Sequence, residues 1–319
     1  MTRRRPESKH FLALADESPE SFRALLDRAA AWKKAVHSRK IDRIFDATPR
    51  RTSPLVLAMI FLKPSNRTRV SFELAMHHLG GKAMYLSPQE IGLGKREATK
   101  DVAAVLGRYV DGIMARVFRH SDVVDLAKYS GVPVVNGLSD IEHPCQGLGD
   151  LQTIIEQGGL PSRKTVVTFI GDGNNVSHSL MLGAALLGMT FRLVGPKGYE
   201  PDSGIVKKAR TIAKKTGARI ECTPALQAIA GSHFLYTDVW TSMGDEDQAE
   251  KRRLAFEPYR LDKTIMKRAP DAKILHCLPA HRGEEITDDV IDSRNSVVLD
   301  QAENRLHAQM AVLERAMPR

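Results

Sequence analysis

The segment PLVLAMIFLKPSNRTRVSFELAMHHLGG, residues 54–81, predicts a buried strand that leads directly into a helix. Residues 54–61 are apolar almost throughout, which is typical of a strand covered on both faces of its sheet. Beyond the turn, apolar residues recur at the i, i+3, i+4 and i+7 spacing of a helix, at Phe72, Ala75, Met76 and Leu79. The pair Gly80-Gly81 then provides a helix stop. A strand followed by a helix is the repeating unit of α/β folds.

The same alternation continues along the chain. Further strand-like apolar runs occupy residues 111–117, 132–137, 164–171, 190–195, 233–240 and 272–279. Helical spacing recurs in residues 97–110, 175–188, 202–216 and 302–317. Strands of near-continuous apolar sequence belong to parallel sheets with helices on both faces. We therefore predict an α/β fold of doubly wound domains with central parallel sheets.

A chain of 319 residues is long enough for about two such domains. Residues 143–157 have a helical pattern, and the glycines and proline of 158–161 end it. We expect this helix to link a first domain, residues 1–148, to a second, residues 149–301. The last helical segment, 302–319, follows the second set of strands and can pack on either domain.

The net charge of +9 is compatible with nucleic acid or with anionic metabolites. The basic residues are scattered, aromatic residues make up only 6% of the chain, and no zinc-finger, RRM-like or basic-zipper pattern is present. The charge therefore favours a phosphorylated or carboxylated small substrate over nucleic acid.

The cysteines and the N-terminus predict a cytoplasmic protein. Cys145, Cys222 and Cys277 form no CxxC pair, so neither a disulfide framework nor a structural zinc site is expected. The basic N-terminus continues into polar residues where a signal peptide needs an apolar stretch, and no run approaches a membrane span in length. We expect no membrane partner.

The turn at Ser65-Asn66-Arg67-Thr68 predicts an anion site. Ser65 stands at the helix start as an N-cap, where unpaired backbone N–H groups and the helix dipole favour negative charge. The hydroxyls of Ser65 and Thr68 and the guanidinium of Arg67 add donors for a phosphate. The alternative is a capped surface helix with solvated arginines, and the segment alone does not decide between the two.

Four further motifs follow strands or open helices, and each has an ordinary structural explanation. HPCQ, residues 143–146, suits polarising a carbonyl, although a histidine beside proline is more often a packed residue. GDGNN, residues 171–175, resembles the start of a dinucleotide fingerprint, but its third glycine position is Val176. In DVWTSMGDE, residues 238–246, Asp238 can hold an ammonium group. In HCLPAHRGEE, residues 276–285, the histidine spacing matches no metal motif, and Cys277 can be a buried structural thiol.

In this order and at these spacings, the motifs closely resemble those of the ornithine carbamoyltransferases over nearly the whole chain. The motif set comprises PSNRTR, ARVF, HPCQ, GDGNNVSHS, DVWTSMG, HCLPAHRGEE and DQAENRLHAQ. The resemblance implies an N-terminal carbamoyl phosphate domain that includes the final helix, and a C-terminal ornithine domain. It also implies a homotrimer or a multiple of trimers, citrulline formation from the two substrates, and no metal or organic cofactor.

The resemblance also implies roles for individual residues. Carbamoyl phosphate would be bound by Ser65, Asn66, Arg67, Thr68, Arg116, His143, Gln146 and Arg305, and by the backbone carbonyls of Cys277 and Leu278. Ornithine would be bound by Asn175, Asp238, Ser242 and Met243. The catalytic groups would be Arg116, His143, Asp238 and Cys277.

The sequence departs from the family pattern at two positions. Asn66 replaces a threonine, which changes little if the backbone N–H binds the phosphate. Gly92 stands where many relatives carry a glutamine that reaches the neighbouring subunit, and we hypothesise that Lys95 or Arg96 supplies that contact. One alternative is a sister carbamoyltransferase acting on acetylornithine or putrescine, against which the intact SMG loop argues. Another is a non-catalytic protein of the same fold, which would be expected to have lost one of Arg67, Arg116, His143 or Arg305, and all four are present. A nicotinamide-dependent oxidoreductase would need a third glycine at position 176 and an acidic residue for the ribose, and this sequence has neither.

Overall fold

A computed structural model describes residues 10–41, 53–94, 96–241 and 246–317, and the chain divides into two compact units. The first unit contains the described parts of Met1–Asp16, Ala24–Cys145 and Arg305–Arg319. The second contains Glu17–Arg23 and Gln146–Asn304. The unit boundary after Cys145 falls within one continuous helix, Pro144–Glu156.

Four parallel strands form the sheet of the first unit, in the order β2-β1-β3-β4. The strands are β1 (Val56–Phe61), β2 (Lys82–Leu86), β3 (Gly112–Arg116) and β4 (Val134–Leu138). The helices along this part of the chain are α1 (Pro19–His37), α2 (Asn66–His78), α3 (Pro88–Ile91), α4 (Thr99–Tyr109), α5 (His120–Ser130) and α6 (Pro144–Glu156), with a 3-10 turn at Leu14–Asp16; α1 and α6 each belong partly to the second unit.

The second unit has a five-stranded parallel sheet in the order β7-β6-β5-β8-β9. Its strands are β5 (Val166–Ile170), β6 (Thr190–Val194), β7 (Arg219–Thr223), β8 (Phe234–Thr237) and β9 (Lys273–His276). The helices along this part of the chain are α7 (Asn175–Leu186), α8 (Ser203–Thr216), α9 (Ala249–Phe256), α10 (Lys263–Met266), α11 (Asp288–Ile291) and α12 (Val298–Ala316), with 3-10 turns at Leu226–Ile229, Glu246–Gln248 and Glu257–Tyr259; from Arg305 onward α12 belongs to the first unit.

Each sheet has a point where the strand order reverses. In the first unit, the strand after β1 is added at one edge of the sheet and the strand after β3 at the other edge. In the second unit, the same reversal occurs between β5 and β8. At such points the carboxyl ends of neighbouring strands leave a crevice in which α/β proteins bind ligands. Arg116 is the last residue of β3, and the segments after the other three strands contain Ser65, Asn174 and Asp238; all four residues come from the predicted motifs.

The predicted α/β fold is confirmed, and the differences concern sheet edges and helix ends. Strands β2 and β7 were not predicted because both are edge strands, partly exposed, without a continuous apolar run. Helix α12 starts at Val298, before the predicted 302. The apolar pattern missed its first turn because Gln301, a polar residue, lies on the buried face there. Within the described ranges, no helix is both long and apolar enough to cross a membrane.

Candidate active site

The first turn of α2 places hydroxyls and an arginine together, as the sequence predicts. Ser65 has extended backbone geometry at the N-cap position, and its Oγ accepts a hydrogen bond from the Thr68 N–H at 3.4 Å. The same hydroxyl donates to Thr68 Oγ1 at 3.0 Å. Asn66 and Arg67 follow in the first turn with exposed side chains. The helix start therefore offers N–H groups, hydroxyls and one exposed cation within its first turn.

Two buried arginines lie in the same unit. Arg116 ends strand β3 and is only 7% exposed, while Arg305 on α12 is 6% exposed. Arg305 Nη2 donates to Thr68 Oγ1 at 3.5 Å, which joins α12 to the start of α2. Two guanidinium groups removed from water make this part of the unit suited to an anion.

His143 is held without a charge. Burial lowers the pKa of its imidazole well below the ordinary value, and the nearby positive charges of Arg305 and Arg116 lower it further. The side chain is 5% exposed. A neutral imidazole beside two cations can donate one N–H hydrogen bond to a developing oxyanion, and it stays neutral across the physiological pH range.

The Cys145 thiol is also unreactive. Burial raises its pKa to about 12, against smaller opposing effects of Arg305 and Arg315. Cys145 is fully buried and its Sγ lies 3.7 Å from the carbonyl oxygen of Asn136. It is therefore a packed core residue.

In the second unit, Asp238 is the centre of a second cluster. It directly follows β8, and Asn174, which follows β5, donates from Nδ2 to Asp238 Oδ2 at 2.9 Å. The Cys277 thiol donates to Asp238 Oδ1 at 3.0 Å. Burial and the adjacent Asp238 carboxylate raise the pKa of Cys277 well above its usual range, so the thiol remains protonated.

The backbone beside Cys277 has a specific support. His276 is 1% exposed; its Nδ1 accepts a hydrogen bond from the Leu278 N–H at 2.9 Å, and its Nε2 lies 3.0 Å from Glu285 Oε1. Because Nδ1 accepts, the neutral ring carries its proton on Nε2 and donates to Glu285. This arrangement holds Leu278, whose φ of +57° is unusual for a residue with a side chain.

Gln146 lies in the second unit, on α6. It is 1% exposed and its Nε2 donates to Asp150 Oδ1 at 2.6 Å. Asn175 is the first residue of α7. Ser242 and Met243, both predicted to bind ornithine, lie outside the described residues.

Gly173 of the GDGNN motif serves chain packing. A Cβ on Gly173 would lie 2.2 Å from the backbone nitrogen of Pro201, so only glycine allows the two segments to approach. Val176, at the third glycine position of a dinucleotide fingerprint, is buried. Asn174 caps α7 by accepting from the Val176 and Ser177 N–H groups, both at 3.0 Å.

The loop around Gly92 has backbone geometry that favours glycine and a hydrogen bond within the loop. Gly92 has a φ of +55° and caps α3, and a Cβ there would meet the Cβ of Arg96 at 2.8 Å. Arg96 Nη2 donates to the carbonyl oxygen of Glu90 at 3.0 Å, within its own loop. Lys95 lies outside the described residues. A contact from Lys95 or Arg96 to a neighbouring subunit stays a prediction.

Two groups of side chains in the second unit have ligand atoms close enough for a metal ion, within 4.8 Å of one another. One is Asp238, His276 and Cys277; the other is His281, Glu284 and Glu285. In the first group the two His276 nitrogens and the Cys277 thiol already make the hydrogen bonds described above. A metal ion would have to replace those bonds and remove the thiol proton.

Four residues of these clusters were not predicted: Asn174 as a partner of Asp238, and Asp150, Tyr236 and Glu285. Asp150 could have been found, because it lies four positions after Gln146 on one helix. Tyr236 is fully buried near Asp150, Cys277 and Asp238, and burial raises its pKa well above the usual value. Glu285 reaches His276 through a loop, which no local pattern indicates.

Comparison with known proteins agrees with this architecture. Residues 9–156 match the family described as aspartate/ornithine carbamoyltransferase, carbamoyl-P binding domain, and residues 163–316 match its Asp/Orn binding domain. The chain is 50% identical over 309 residues to the ornithine carbamoyltransferase of Pyrococcus abyssi, covering 96% of this chain and 95% of that protein.

Solved structures give the same result. The ornithine carbamoyltransferase from Pyrococcus furiosus superposes with a TM-score of 0.89 at 50% identity, covering 97% of both chains. An anabolic ornithine carbamoyltransferase from Campylobacter jejuni superposes with a TM-score of 0.86 at 38% identity, covering 96% of this chain and 97% of that one. The chain belongs to the aspartate/ornithine carbamoyltransferase family.

Proposed function

We propose that the protein transfers the carbamoyl group of carbamoyl phosphate to the δ-amine of L-ornithine, releasing L-citrulline and phosphate in arginine metabolism. The structural observation that carries the proposal is the uncharged His143 beside the buried cations Arg116 and Arg305. Relatives named ornithine carbamoyltransferase, at 50% identity over nearly the full chain, support ornithine as the amine.

The proposed roles follow from the charges of the reaction. The neutral δ-amine attacks the carbamoyl carbon, a C–N bond forms, the carbonyl oxygen gains negative charge, and the C–O bond to phosphate breaks. Arg116, His143 and Arg305 are suited to stabilise the oxyanion because buried donors that are already in place need no reorganisation. Ser65, Asn66, Arg67 and Thr68 would hold the phosphate, which can take the surplus proton as it leaves.

In the proposed amine site, Asp238 pairs with the ornithine α-ammonium group, together with Asn175, Ser242 and Met243. The protonated Cys277 thiol lies against Asp238 and would face the reacting δ-amine without competing as a nucleophile. The carbonyl oxygens of Cys277 and Leu278 would accept hydrogen bonds from the carbamoyl NH2 group. We further propose a cytoplasmic homotrimer or multiple of trimers, which light scattering of the purified protein tests.

A citrulline assay tests the proposed function. Carbamoyl phosphate is offered with ornithine, acetylornithine, putrescine or aspartate separately, and ureido product is measured. We expect product from ornithine alone. Product from acetylornithine or putrescine instead would support a sister carbamoyltransferase, and no product from any amine would refute carbamoyl transfer.

A further inference from the structure

A turn that follows strand β9 places three metal-binding side chains together in the second unit. His281, Glu284 and Glu285 each offer one ligand atom, and these atoms lie within 4.8 Å of one another. Backbone hydrogen bonds fix the turn: the Gly283 N–H donates to the carbonyl oxygen of Ile286 at 2.9 Å, and the Glu284 N–H donates to that of His281 at 2.9 Å. The spacing of the three side chains is therefore set by the turn itself.

Glu285 is the buried member of the group. It is 0% exposed, and its Oε1 accepts from the His281 backbone N–H at 2.7 Å and from His276 Nε2 at 3.0 Å. Its Oε2 is also buried and has no hydrogen-bond partner among the residues that the structure describes. A buried carboxylate oxygen without a partner is costly, and a cation bound to it would offset that cost. The unpartnered oxygen is a second observation, independent of the spacing, that points to a positively charged ligand.

The other two side chains are accessible from solvent. His281 and Glu284 have side chains that are 51% and 54% exposed, and His281 Nδ1 lies 3.7 Å from Glu284 Oε2. That distance is too long for a hydrogen bond, so neither atom is committed to the other. Small rotations of both side chains can bring these atoms to the distances of about 2.0–2.2 Å at which imidazole and carboxylate groups bind Zn2+.

The neighbouring arginines leave the two carboxylates of the group available to a cation. Arg282, in the same turn, donates to Asp288 at 2.7 Å and to Asp292 at 2.7 and 2.9 Å, so its charge is balanced outside the group. Arg260 Nε donates to the backbone carbonyl oxygen of Glu284, at 2.9 Å, and not to its carboxylate. Two carboxylates match the charge of a divalent ion.

One imidazole nitrogen and two carboxylate oxygens form a ligand set that Zn2+ accepts, with water in the fourth position. We propose that His281, Glu284 and Glu285 bind a divalent transition-metal ion of this kind. The ion holds the turn through Glu285, whose other oxygen supports His276 at the end of β9. The site does not include Cys277 and takes no part in carbamoyl transfer, so it goes beyond the proposed function.

Zinc binding measured by isothermal titration calorimetry tests the proposal. A thiol also binds Zn2+, so every protein in the test carries Cys277→Ser, which removes a ligand from the group around Asp238. After treatment with a chelator, this background protein should bind one Zn2+ per chain. Adding His281→Ala or Glu284→Gln should weaken binding at least about tenfold, since each removes one of three ligands. Glu285→Gln keeps one oxygen as a hydrogen-bond acceptor and should also weaken binding.

Glu250→Gln is the matched control, because Glu250 is an exposed glutamate of the same unit that pairs with Arg253. It should bind Zn2+ as the background protein does. His281 and Glu284 are each more than half exposed, so their variants should fold, and circular dichroism checks this. Zn2+ should raise the thermal midpoint of the background and control proteins and leave that of the His281 and Glu284 variants unchanged.

Absence of Zn2+ binding to the Cys277→Ser protein would overturn the proposal. Equal binding with and without His281→Ala and Glu284→Gln would overturn it as well. Several weak sites per chain that neither change affects would show an adventitious ion only. Citrulline formation has no part in the measurement, so these outcomes are distinct from a failure of the proposed function.

Discussion

Arg67 and Arg69 lie two positions apart on α2 and have different surroundings. Arg69 is paired with Glu73 at 2.9 Å, and its guanidinium lies 4.2 Å from the centre of the Tyr85 ring. Arg67 is exposed in the first turn and has no ion pair with any residue in the described part of the chain. These surroundings fit the proposed role of Arg67 as the phosphate ligand, whereas Arg69 is held within its own unit.

Arg67→Ala should lower kcat/KM for carbamoyl phosphate by about 100-fold or more, since a donor to the transferred group contributes on that scale. Its exposure means that thermal stability should change little. Arg69→Ala is the matched control and should retain activity within about threefold, with a stability loss of at most about 1 kcal/mol. Steady-state kinetics and thermal denaturation of both variants check this; equal activity losses would contradict the assignment.

His143 should make stability depend on pH. Its folded pKa is lowered, so below about pH 6.5 the unfolded chain binds a proton that folded His143 does not. Stability should then fall by up to about 1.4 kcal/mol per pH unit from this group, and the effect should vanish above pH 7. Denaturant unfolding of wild type and His143→Gln between pH 5 and 8 measures it. The variant should show a flatter profile below pH 6.5; parallel profiles would contradict the prediction.

The Cys277 thiol should act as a hydrogen-bond donor to Asp238. Cys277→Ser keeps an O–H donor and Cys277→Ala removes it, so kcat should fall about tenfold in the alanine variant and clearly less in the serine variant. Citrulline formation at saturating substrates measures the difference. An alanine variant as active as the serine variant would show that the donor is unimportant.

At the scale of elements, two N-cap residues differ in their expected roles. Asp202 stabilises its helix, whereas Ser65 stabilises its helix and is also proposed to bind phosphate. Ser65 caps α2 through a long 3.4 Å hydrogen bond, whereas Asp202 caps α8 by accepting from the Ile205 N–H at 3.0 Å. Asp202 lies outside the predicted site. The shorter bond should contribute more to stability, and the longer one leaves the Ser65 hydroxyl more available to a ligand.

Ser65→Ala should therefore cost only about 0.5 kcal/mol of stability but at least tenfold in kcat/KM for carbamoyl phosphate. Asp202→Ala should cost about 1 kcal/mol and leave activity unchanged. Urea unfolding with parallel kinetics compares the two. Activity losses that follow the stability losses would argue against a role for Ser65 in binding.

At the scale of the whole molecule, the end of the chain completes the first unit. Glu314 on α12 accepts from Arg28 Nε and Nη2, both at 2.5 Å, and from Trp32 Nε1 at 3.0 Å. Trp32 is fully buried on α1. Arg305 and Glu314 on α12 both belong to the first unit, so residues distant in sequence form one compact unit.

Glu314→Ala should destabilise the protein by about 1–3 kcal/mol, because the buried Trp32 N–H loses its acceptor. Glu250→Ala removes an exposed pair with Arg253 and should cost less than about 0.5 kcal/mol. Denaturant unfolding of both variants gives the comparison. Equal effects would mean that Glu314 is no more than a surface ion pair.

Central strands and the α2 start were predictable because their causes are local. Apolar runs such as residues 56–61 must be buried, and Ser65 caps the helix that follows it. Strands β2 and β7 escaped prediction because they are partly exposed edge strands without a continuous apolar run. The Asp150–Gln301 and Glu285–His276 pairs escaped prediction because only the fold brings these residues together, although Asp150 itself lies at helical spacing from Gln146.

The sequence by itself determined the α/β class, the order of the motifs and the family they resemble, since these depend on residue type and short-range spacing. The tertiary structure decided the charge state of His143, the protonation of Cys277 and the direction of the Gln146 amide. Each of these depends on burial and on which distant charge or acceptor lies nearby. Desolvation and hydrogen bonding act through space, so only the folded chain specifies them.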